Sequence, residues 1–243
     1  KNIQKHLITD LKIDDDQNLE NLIRNTKPVT VINCIGLVKQ LSESNDPLKI
    51  IPINSFFPQR LSEICKTNGA KLIHFSTDCV FSGLKGMYKE DDLADATDLY
   101  GVSKRLGEFY NFNSLIIRTS IIGHELEGNN SLVDWFLSQQ GSVKGFKKAI
   151  FSGFPTIEIC QILKDHVLNN DRLTGLYHIS SDPISKFDLL NKIKAIYGKN
   201  IKIYKDEKLR IDRSLDSSKF RKETGFNPKP WTEMILNMHN SVN

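Results

Sequence analysis

The chain of 243 residues contains no glycine before Gly36. A dinucleotide-binding βαβ unit opens with a strand and a glycine-rich turn, and the backbone N–H groups of that turn meet a pyrophosphate at the start of a helix. The residues before Gly36 therefore exclude a phosphate-binding turn of that kind. The sequence also begins with Lys1 rather than with methionine.

Three further absences narrow the class of protein. No apolar run approaches the ~18–20 residues that span a bilayer, and no secretory signal peptide is visible. None of the four cysteines, Cys34, Cys65, Cys79 and Cys160, belongs to a Cys-x-x-Cys pair. Together these features predict reduced, mostly buried thiols in a cytoplasmic protein without a metal site.

The composition indicates one compact α/β unit with a small second lobe. Hydrophobic residues make up 39% of the chain and charged residues 26%, which suits a packed core of this size. The net charge of +4 is spread along the chain, without the dense basic run with interleaved aromatics that predicts nucleic-acid binding. A weak positive bias would suit an anionic diphosphate ligand.

Apolar runs predict the strands of a parallel sheet. Residues 29–36 are rich in β-branched side chains, and residues 71–75 and 114–118 form two more apolar runs. Such runs are typical of parallel strands that are buried on both faces. Their alternation with helical patterns predicts a doubly wound parallel sheet with helices on both faces. The predicted helices cover residues 17–26, 48–68, 157–168 and 185–197, and a further short strand is predicted at 5–11.

The most informative stretch joins a strand end to a helix start. Tyr100 and Lys104 are four residues apart, so both side chains fall on one face of the predicted helix. A nearby ammonium favours the phenolate, which predicts a phenol pKa lowered from about 10 toward neutrality. Ser76 and Thr77 end the preceding strand, and a hydroxyl there could polarise a substrate carbonyl. The alternative is an ordinary half-exposed helix pair, because Tyr-x-x-x-Lys occurs often by chance.

Several motifs together resemble a known family. They are Phe-Ser-Thr-Asp-Cys-Val-Phe-Ser-Gly at 75–83, Tyr-Lys-Glu-Asp-Asp at 88–92, Leu-Tyr-Gly-Val-Ser-Lys at 99–104 and Gly-Glu at 107–108. This set resembles the extended short-chain dehydrogenase/reductase family, and within it the dTDP-4-dehydrorhamnose reductase branch of nucleotide-sugar enzymes. The resemblance implies a Rossmann-like fold and a catalytic triad. Tyr100 would be the proton donor, Lys104 its activator and a ligand of a ribose hydroxyl, and Thr77 the hydroxyl that orients the carbonyl.

The resemblance also implies a bound NADP or NAD. The residues that bind this cofactor would lie along the adenine, at the nicotinamide-side ribose and pyrophosphate, and at the catalytic pair. A helix-capping role is the alternative for Asn54 and for Asp10. The implied cofactor-binding residues are Asp10, Leu11, Cys34, Ile35, Gly36, Asn54, Tyr100 and Lys104.

On the substrate side, the resemblance points to Thr77, Asp78 and Arg213. A guanidinium suits a nucleotide diphosphate because its fork can bond two oxygens, although Arg213 could equally be a surface arginine. Arg118, at the end of a predicted strand, is expected to bridge to an acidic partner at least as much as to contact a ligand. The family's Trp-Val-Tyr is replaced by Ile-Ile at 121–122, which puts the sugar specificity in doubt.

Two lobes follow from the same resemblance. Residues 1–120 and 154–182 would form the dinucleotide-binding domain, and residues 121–153 and 183–243 the nucleotide-sugar lobe. Either the glycine-rich strand and turn precede the sequence given, or the protein has lost cofactor binding. We favour the first explanation because the rest of the active-site pattern is intact.

The implied activity is the NAD(P)H-dependent reduction of a 4-keto-6-deoxy nucleotide sugar in surface-polysaccharide biosynthesis. One alternative is an NAD-dependent epimerase or dehydratase of nucleotide sugars, because Asp78 occupies the position of an acid–base carboxylate. Another is a non-catalytic regulatory protein that binds sugar nucleotides. The expected partner is the nucleotide sugar, with neither nucleic acid nor membrane, and a homodimer is left open.

Overall fold

The computed structural model describes residues 12–109, 113–126 and 128–242. The strand predicted at 5–11, including Asp10 and Leu11, lies outside the described residues. The strands are β1 (Thr30–Asn33), β2 (Lys71–Thr77), β3 (Ser114–Thr119), β4 (Ile121–Ile122), β5 (Ser142–Phe151), β6 (Phe154–Pro155), β7 (Gly175–His178), β8 (Ile184–Ser185) and β9 (Lys202–Asp212). The α-helices are α1 (Asp16–Thr26), α2 (Pro47–Ile51), α3 (Phe57–Thr67), α4 (Leu99–Leu106), α5 (Leu132–Ser138), α6 (Thr156–Ile162), α7 (Lys186–Ile196), α8 (Ser218–Thr224) and α9 (Trp231–Asn240).

The predicted parallel sheet is confirmed. Strands β1, β2, β3 and β7 pair in that order and all in parallel. Every residue of β3 is buried, and in β2 only Phe75 is partly exposed. The expectation of burial on both faces is wrong for β1, where Ile32 is 40% exposed. The physical reason is that β1 is the edge strand of the described sheet, with β2 as its single neighbour there.

Helices cover both faces of this sheet, as predicted. Successive residues of a strand point to opposite faces, and β2 follows that rule. Leu72 packs in a cluster with Leu19 of α1 and Leu61 of α3. Ile73 packs instead in the larger core cluster, which includes Ile159 of α6. The sheet is therefore sandwiched between two helical layers, which is the Rossmann-type arrangement.

Beyond the first sheet, the described residues form a short parallel pair of β4 and β6, a three-stranded sheet and a core cluster shared by both parts of the chain. The strand order of the three-stranded sheet is β8-β5-β9, with β5 and β9 parallel and β8 antiparallel to β5. These strands come from the ranges 121–153 and 183–243. The core cluster includes Ile117 of the first sheet together with Phe151 and Trp231 from those ranges. The division into two lobes stays a prediction, since one hydrophobic core serves both.

None of the helices that the structure describes is long and apolar enough to cross a membrane. The helical stretch predicted at 48–68 is present as α2, a π-helical turn (Pro52–Phe56) and α3. Pro52 and Pro58 lack the backbone N–H that a continuous α-helix uses, and between them the run changes to a wider π turn. The π turn packs against α4 and so places Asn54 beneath the site described below.

Two fully buried histidines should make the fold sensitive to acid. Burial lowers the pKa of His74 to about 3, and burial also lowers the pKa of His178 to about 3. The unfolded chain binds protons at these side chains near pH 6.5, whereas the folded chain does not. Stability is therefore expected to fall as the pH drops from 6.5 toward 3.

Urea unfolding midpoints at pH 7.5 and at pH 5 would measure this loss. His74→Gln should reduce the difference between the two midpoints, because it removes one of the buried titrating rings. The matched control is His166→Gln, since His166 is only half-buried. Equal midpoints for the unaltered protein at both pH values would contradict the expectation.

Candidate active site

Thr77 is held at the carboxyl end of β2, the edge at which open α/β sheets bind their ligands. Its Oγ1 accepts a hydrogen bond from the Cys79 N–H at 3.1 Å. This bond caps the short 3-10 turn Asp78–Val80. The strand end and its cap thus fix the hydroxyl in one orientation.

Helix α4 brings the predicted catalytic pair to the same place. The Asp98 carboxylate accepts a hydrogen bond from the Gly101 N–H at 3.1 Å, so the helix begins at Leu99 and Tyr100 lies in its first turn. A Cβ at Gly101 would lie 2.3 Å from the Cys79 carbonyl oxygen. Only glycine allows this close contact between α4 and the turn that follows Thr77.

The hydroxyl of Thr77 lines the same cleft as the phenol of Tyr100 and favours its phenolate form. Burial has the larger effect and raises the pKa of Tyr100 above its ordinary value. The predicted lowering of this pKa by Lys104 is therefore wrong in direction. The reason is that removal of the phenol from water opposes its ionisation, and so do Cys79, Asp78 and Asp98, while Thr77 acts in the opposite direction.

Lys104 lies one helical turn from Tyr100 and is buried. Its Nζ donates a hydrogen bond to the Phe75 carbonyl at 2.7 Å. Burial lowers the pKa of Lys104 to about 8, while the charges of Glu108 and Cys34 act in the opposite direction. The ammonium also lies close to the chain that leaves β1, because a Cβ at Gly36 would be 3.7 Å from Nζ.

A cleft of about 290 Å³ joins these groups. It brings together six of the predicted site residues from three separate stretches of the chain. Its lining also contains residues outside the predicted site set, and the available signal was that they belong to the segments that follow β1 and β3. The predicted residues in the lining are Cys34, Ile35, Gly36, Thr77, Tyr100 and Lys104; the additional ones include Lys39, Gln40, Ser120 and Ile121.

Asn54 lies beneath the cleft, not in its lining. The Asn54 side chain is fully buried, and its Oδ1 accepts a hydrogen bond from the Leu37 N–H at 2.9 Å. Its Nδ2 donates to the Leu37 carbonyl at 3.0 Å and to Ser103 Oγ at 3.2 Å. The Asn54 amide therefore holds the loop after Gly36 in place. Because its oxygen and its nitrogen are bonded to the protein, it does not contact a cofactor directly.

Asp78 and Arg213 lie beside the cleft. Burial raises the pKa of Asp78, while Lys186, Arg213 and the Ser120 hydroxyl favour its charged form. Arg213 Nε donates to the Phe81 carbonyl at 2.8 Å, and its Nη1 is 3.8 Å from Cys79 Sγ. The guanidinium is thus attached to the turn that follows Thr77.

The role proposed for Arg118 from sequence is confirmed, because Arg118 bridges to an acidic partner. Its Nε and Nη2 donate to the two carboxylate oxygens of Glu108 at 2.8 and 2.7 Å. Ser76 Oγ donates to the same carboxylate at 2.6 Å. This buried group ties β2, β3 and the end of α4 together directly behind Thr77.

The cysteines depart in part from prediction. All four are free thiols, but Cys34 and Cys160 are exposed rather than buried. Cys34 is exposed because it follows the edge strand β1 and faces the cleft. Cys65 is buried, and Cys79 is half-buried beside Thr77.

Known proteins resemble this chain over most of its length. The family model for the RmlD substrate binding domain matches residues 3–243. The dTDP-4-dehydrorhamnose reductase of Streptomyces griseus is 31% identical over 99 residues, which are 40% of this chain and 33% of that protein. The spore coat polysaccharide biosynthesis protein SpsK of Bacillus subtilis is 31% identical over 183 residues, 69% of this chain and 63% of that protein. The chain thus spans about a third of the length of the first relative and less than two thirds of the length of the second.

The fold is also found among solved structures. The dTDP-4-dehydrorhamnose reductase of Bacillus anthracis, solved in complex with NADP, has a TM-score of 0.83 at 21% identity. The superposition covers 96% of this chain and 87% of that one. Since the family model spans nearly the whole sequence, the chain belongs to the RmlD substrate binding domain family, with a fold of the short-chain dehydrogenase/reductase type.

Proposed function

We propose that this protein takes part in the NAD(P)H-dependent reduction of a 4-keto-6-deoxy nucleotide sugar. The observation that carries the proposal is the meeting of Thr77, Tyr100 and Lys104 in one cleft at the carboxyl end of a parallel sheet. The names of the relatives, dTDP-4-dehydrorhamnose reductase and a spore coat polysaccharide biosynthesis protein, support the substrate class. The pathway would then be the synthesis of a cell-surface polysaccharide in the cytoplasm.

The residues around the cleft fit the nicotinamide end of such a cofactor. Lys104 donates one N–H to the Phe75 carbonyl, and an ammonium has further donors that can meet ribose hydroxyls. The backbone of residues 34–36 forms the wall beside it, without a side chain at Gly36. NADPH or NADH, when bound, supplies a hydride to the carbonyl carbon of the substrate.

The side chains of this protein would donate the proton and stabilise the phenolate that remains. A phenol whose pKa is raised stays protonated at neutral pH, which is the form that a proton donor needs. Tyr100 would donate its proton to the carbonyl oxygen, and Thr77 would hold that oxygen by a second hydrogen bond. Lys104, in the same cleft, would stabilise the phenolate that remains. Donors that are already in place where the charge develops supply most of such a rate effect.

Substrate binding would use the region next to the triad. Arg213 and Asp78 lie there, on the side of the lobe formed by residues 121–153 and 183–243. A guanidinium already oriented by Phe81 has donors left for a diphosphate. This arrangement would place the sugar near Thr77 and the nucleotide against the second lobe.

Turnover of the whole chain tests the proposal. Purified protein is mixed with NADPH or NADH and a dTDP-4-keto-6-deoxyhexose, and the oxidation of the nicotinamide is followed by its absorbance. A reductase consumes one reduced nicotinamide for each ketone. Conversion of a nucleotide sugar without net consumption would indicate an epimerase or dehydratase, and binding without conversion would indicate a regulatory protein. Either result would overturn the reductase proposal.

The pKa of Lys104 gives a pH-dependent test of cofactor binding. The ammonium is present below about pH 8 and is lost as the pH rises through that value. We therefore expect NADPH affinity to fall between pH 7 and pH 9 by several fold, because a charged donor to the ribose disappears. Titration calorimetry at both pH values measures the change. In Lys104→Met the affinity should be lower at pH 7 and should show no such fall, and a wild-type profile in this variant would contradict the role.

A further inference from the structure

The charged side chains that line the active-site cleft are all positive. They are Lys39 and Lys104, and among the described residues of the lining there is no carboxylate. Lys104 is buried, whereas the side chain of Lys39 is 46% exposed and open to a ligand. A cleft lined by charge of one sign favours a ligand of the opposite sign, so this one suits an anion.

Lys39 connects two walls of the cleft. It belongs to the loop that follows β1, and the Asn54 side chain holds this loop at Leu37 through hydrogen bonds of 2.9 and 3.0 Å. The Nζ of Lys39 lies 3.3 Å from one carboxylate oxygen of Asp98. The other oxygen of Asp98 accepts the hydrogen bond from the Gly101 N–H. The ammonium is thus held between the loop and the first turn of the helix that carries the catalytic pair.

This ion pair leaves the ammonium able to bind a ligand. An ammonium has three N–H donors, and one contact with Asp98 does not use them all. The side chain of Asp98 is 38% exposed, and ion pairs between exposed side chains contribute little stability. Lys39 can therefore turn toward an anion in the cleft at low cost. Phosphate oxygens are suitable acceptors, because hydrogen bonds between two charged groups are the stronger ones.

We propose that Lys39 binds the diphosphate of the nicotinamide cofactor, an inference that rests on the proposed function for its ligand class. In NADPH and NADH, one ribose separates the nicotinamide from the diphosphate, and Lys39 lines the same cleft as the triad. The 2′-phosphate of NADPH lies one ribose further away. The cleft of about 290 Å³ is at the lower end of the range for small-molecule pockets, so it holds only the nicotinamide part of the dinucleotide. The diphosphate of the nucleotide sugar has Arg213, which is not among the residues of this lining.

Titration calorimetry of the full chain with NADPH, NADH and dTDP tests the proposal. Lys39→Met keeps the length of the side chain but removes its charge and its donors. It should weaken NADPH and NADH equally, by about tenfold, the value expected for a lost hydrogen bond to a charged group, and leave dTDP unchanged. Lys39→Arg should restore binding. The matched control is Lys66→Met, because Lys66 also forms an exposed ion pair, with Glu63, and does not line the cleft.

Asp98→Asn should have the opposite effect. Asparagine caps a helix about as well as aspartate, so α4 keeps its start while Lys39 loses its counter-charge. The affinity for NADH should rise by up to about fivefold, which corresponds to the free energy of an exposed ion pair. In the Lys39→Met background the same substitution should have a smaller effect, because both changes act on one contact.

Every other result overturns the inference. Loss for NADPH alone would place the ammonium on the 2′-phosphate, and loss for dTDP would place it on the nucleotide sugar. Unchanged affinity for all three ligands, or no binding of either dinucleotide by the unaltered chain, would leave Lys39 without the proposed ligand. Equal loss for NADPH and NADH, in a protein that reduces no keto sugar, would support Lys39 while refuting the reductase.

Discussion

Replacing Tyr100 by phenylalanine is expected to lower kcat by about 10²–10⁴-fold, the usual contribution of a positioned proton donor. The change removes one oxygen that meets the Thr77 hydroxyl and leaves the ring in its place beside Cys79. NADPH affinity should stay within about twofold, because Lys104 and the wall at residues 34–36 are untouched. Steady-state kinetics with the keto sugar and calorimetry with NADPH measure the two quantities separately.

A tyrosine elsewhere provides the control for this result. Tyr204 lies on β9, is 57% exposed and is not among the residues that line the cleft. Tyr204→Phe should leave both quantities unchanged. Retained turnover in Tyr100→Phe would refute the assigned role, whereas loss of NADPH binding together with turnover would indicate a disturbed fold rather than a missing proton donor.

Replacing Arg118 by methionine is expected to destabilise the protein by about 3–5 kcal/mol, the typical cost when one partner of a buried ion pair is removed. The side chains of Arg118 and Glu108 are 5% and 6% exposed, so the carboxylate would be left buried without its counter-charge. Among the described residues, Ser76 would be the side chain that continues to bond it. Urea unfolding at neutral pH measures the loss of the free energy of unfolding.

The double variant Arg118→Met with Glu108→Leu is the informative comparison. It removes both charges, and buried pairs replaced by apolar residues of similar size often leave stability unchanged or higher. The double variant should therefore unfold at a higher urea concentration than Arg118→Met alone. If both variants unfold together, the cost arises from lost packing of the long side chains and not from an unpaired charge.

Much of the first sheet was predictable from sequence because its central strands are apolar throughout. β2 and β3 are buried on both faces, and that environment leaves a clear pattern in the chain. β5 and β9 were largely missed. Their sequences are rich in lysine, and most residues of β9 are at least partly exposed. The two strands form through pairing with each other over distant parts of the chain, which no local pattern encodes.

The active site likewise has features that the sequence predicts and features that it does not. The sequence was sufficient to predict that Thr77, Tyr100 and Lys104 share one cleft. The spacing of the pair and the position of the threonine at a strand end indicate it. The direction of the Tyr100 pKa was not predictable, because it depends on how much water the folded chain excludes. The position of Asn54 was equally hidden, since its partners Leu37 and Ser103 are distant in sequence and meet only through the π turn.

The close backbone contacts of α4 affect how the sequences of other members of this family should be interpreted. At Gly101 the helix touches the Cys79 carbonyl, and at Gly107 a Cβ would lie 2.0 Å from the Asn54 carbonyl oxygen. With both ends locked against backbone, the helix cannot shift to accommodate a methyl group at either position. A homologous chain that carries the tyrosine and the lysine but has alanine at one of these glycine positions would hold its phenol away from the threonine. Such a chain should be counted among binders rather than among reductases, despite an intact Tyr-x-x-x-Lys.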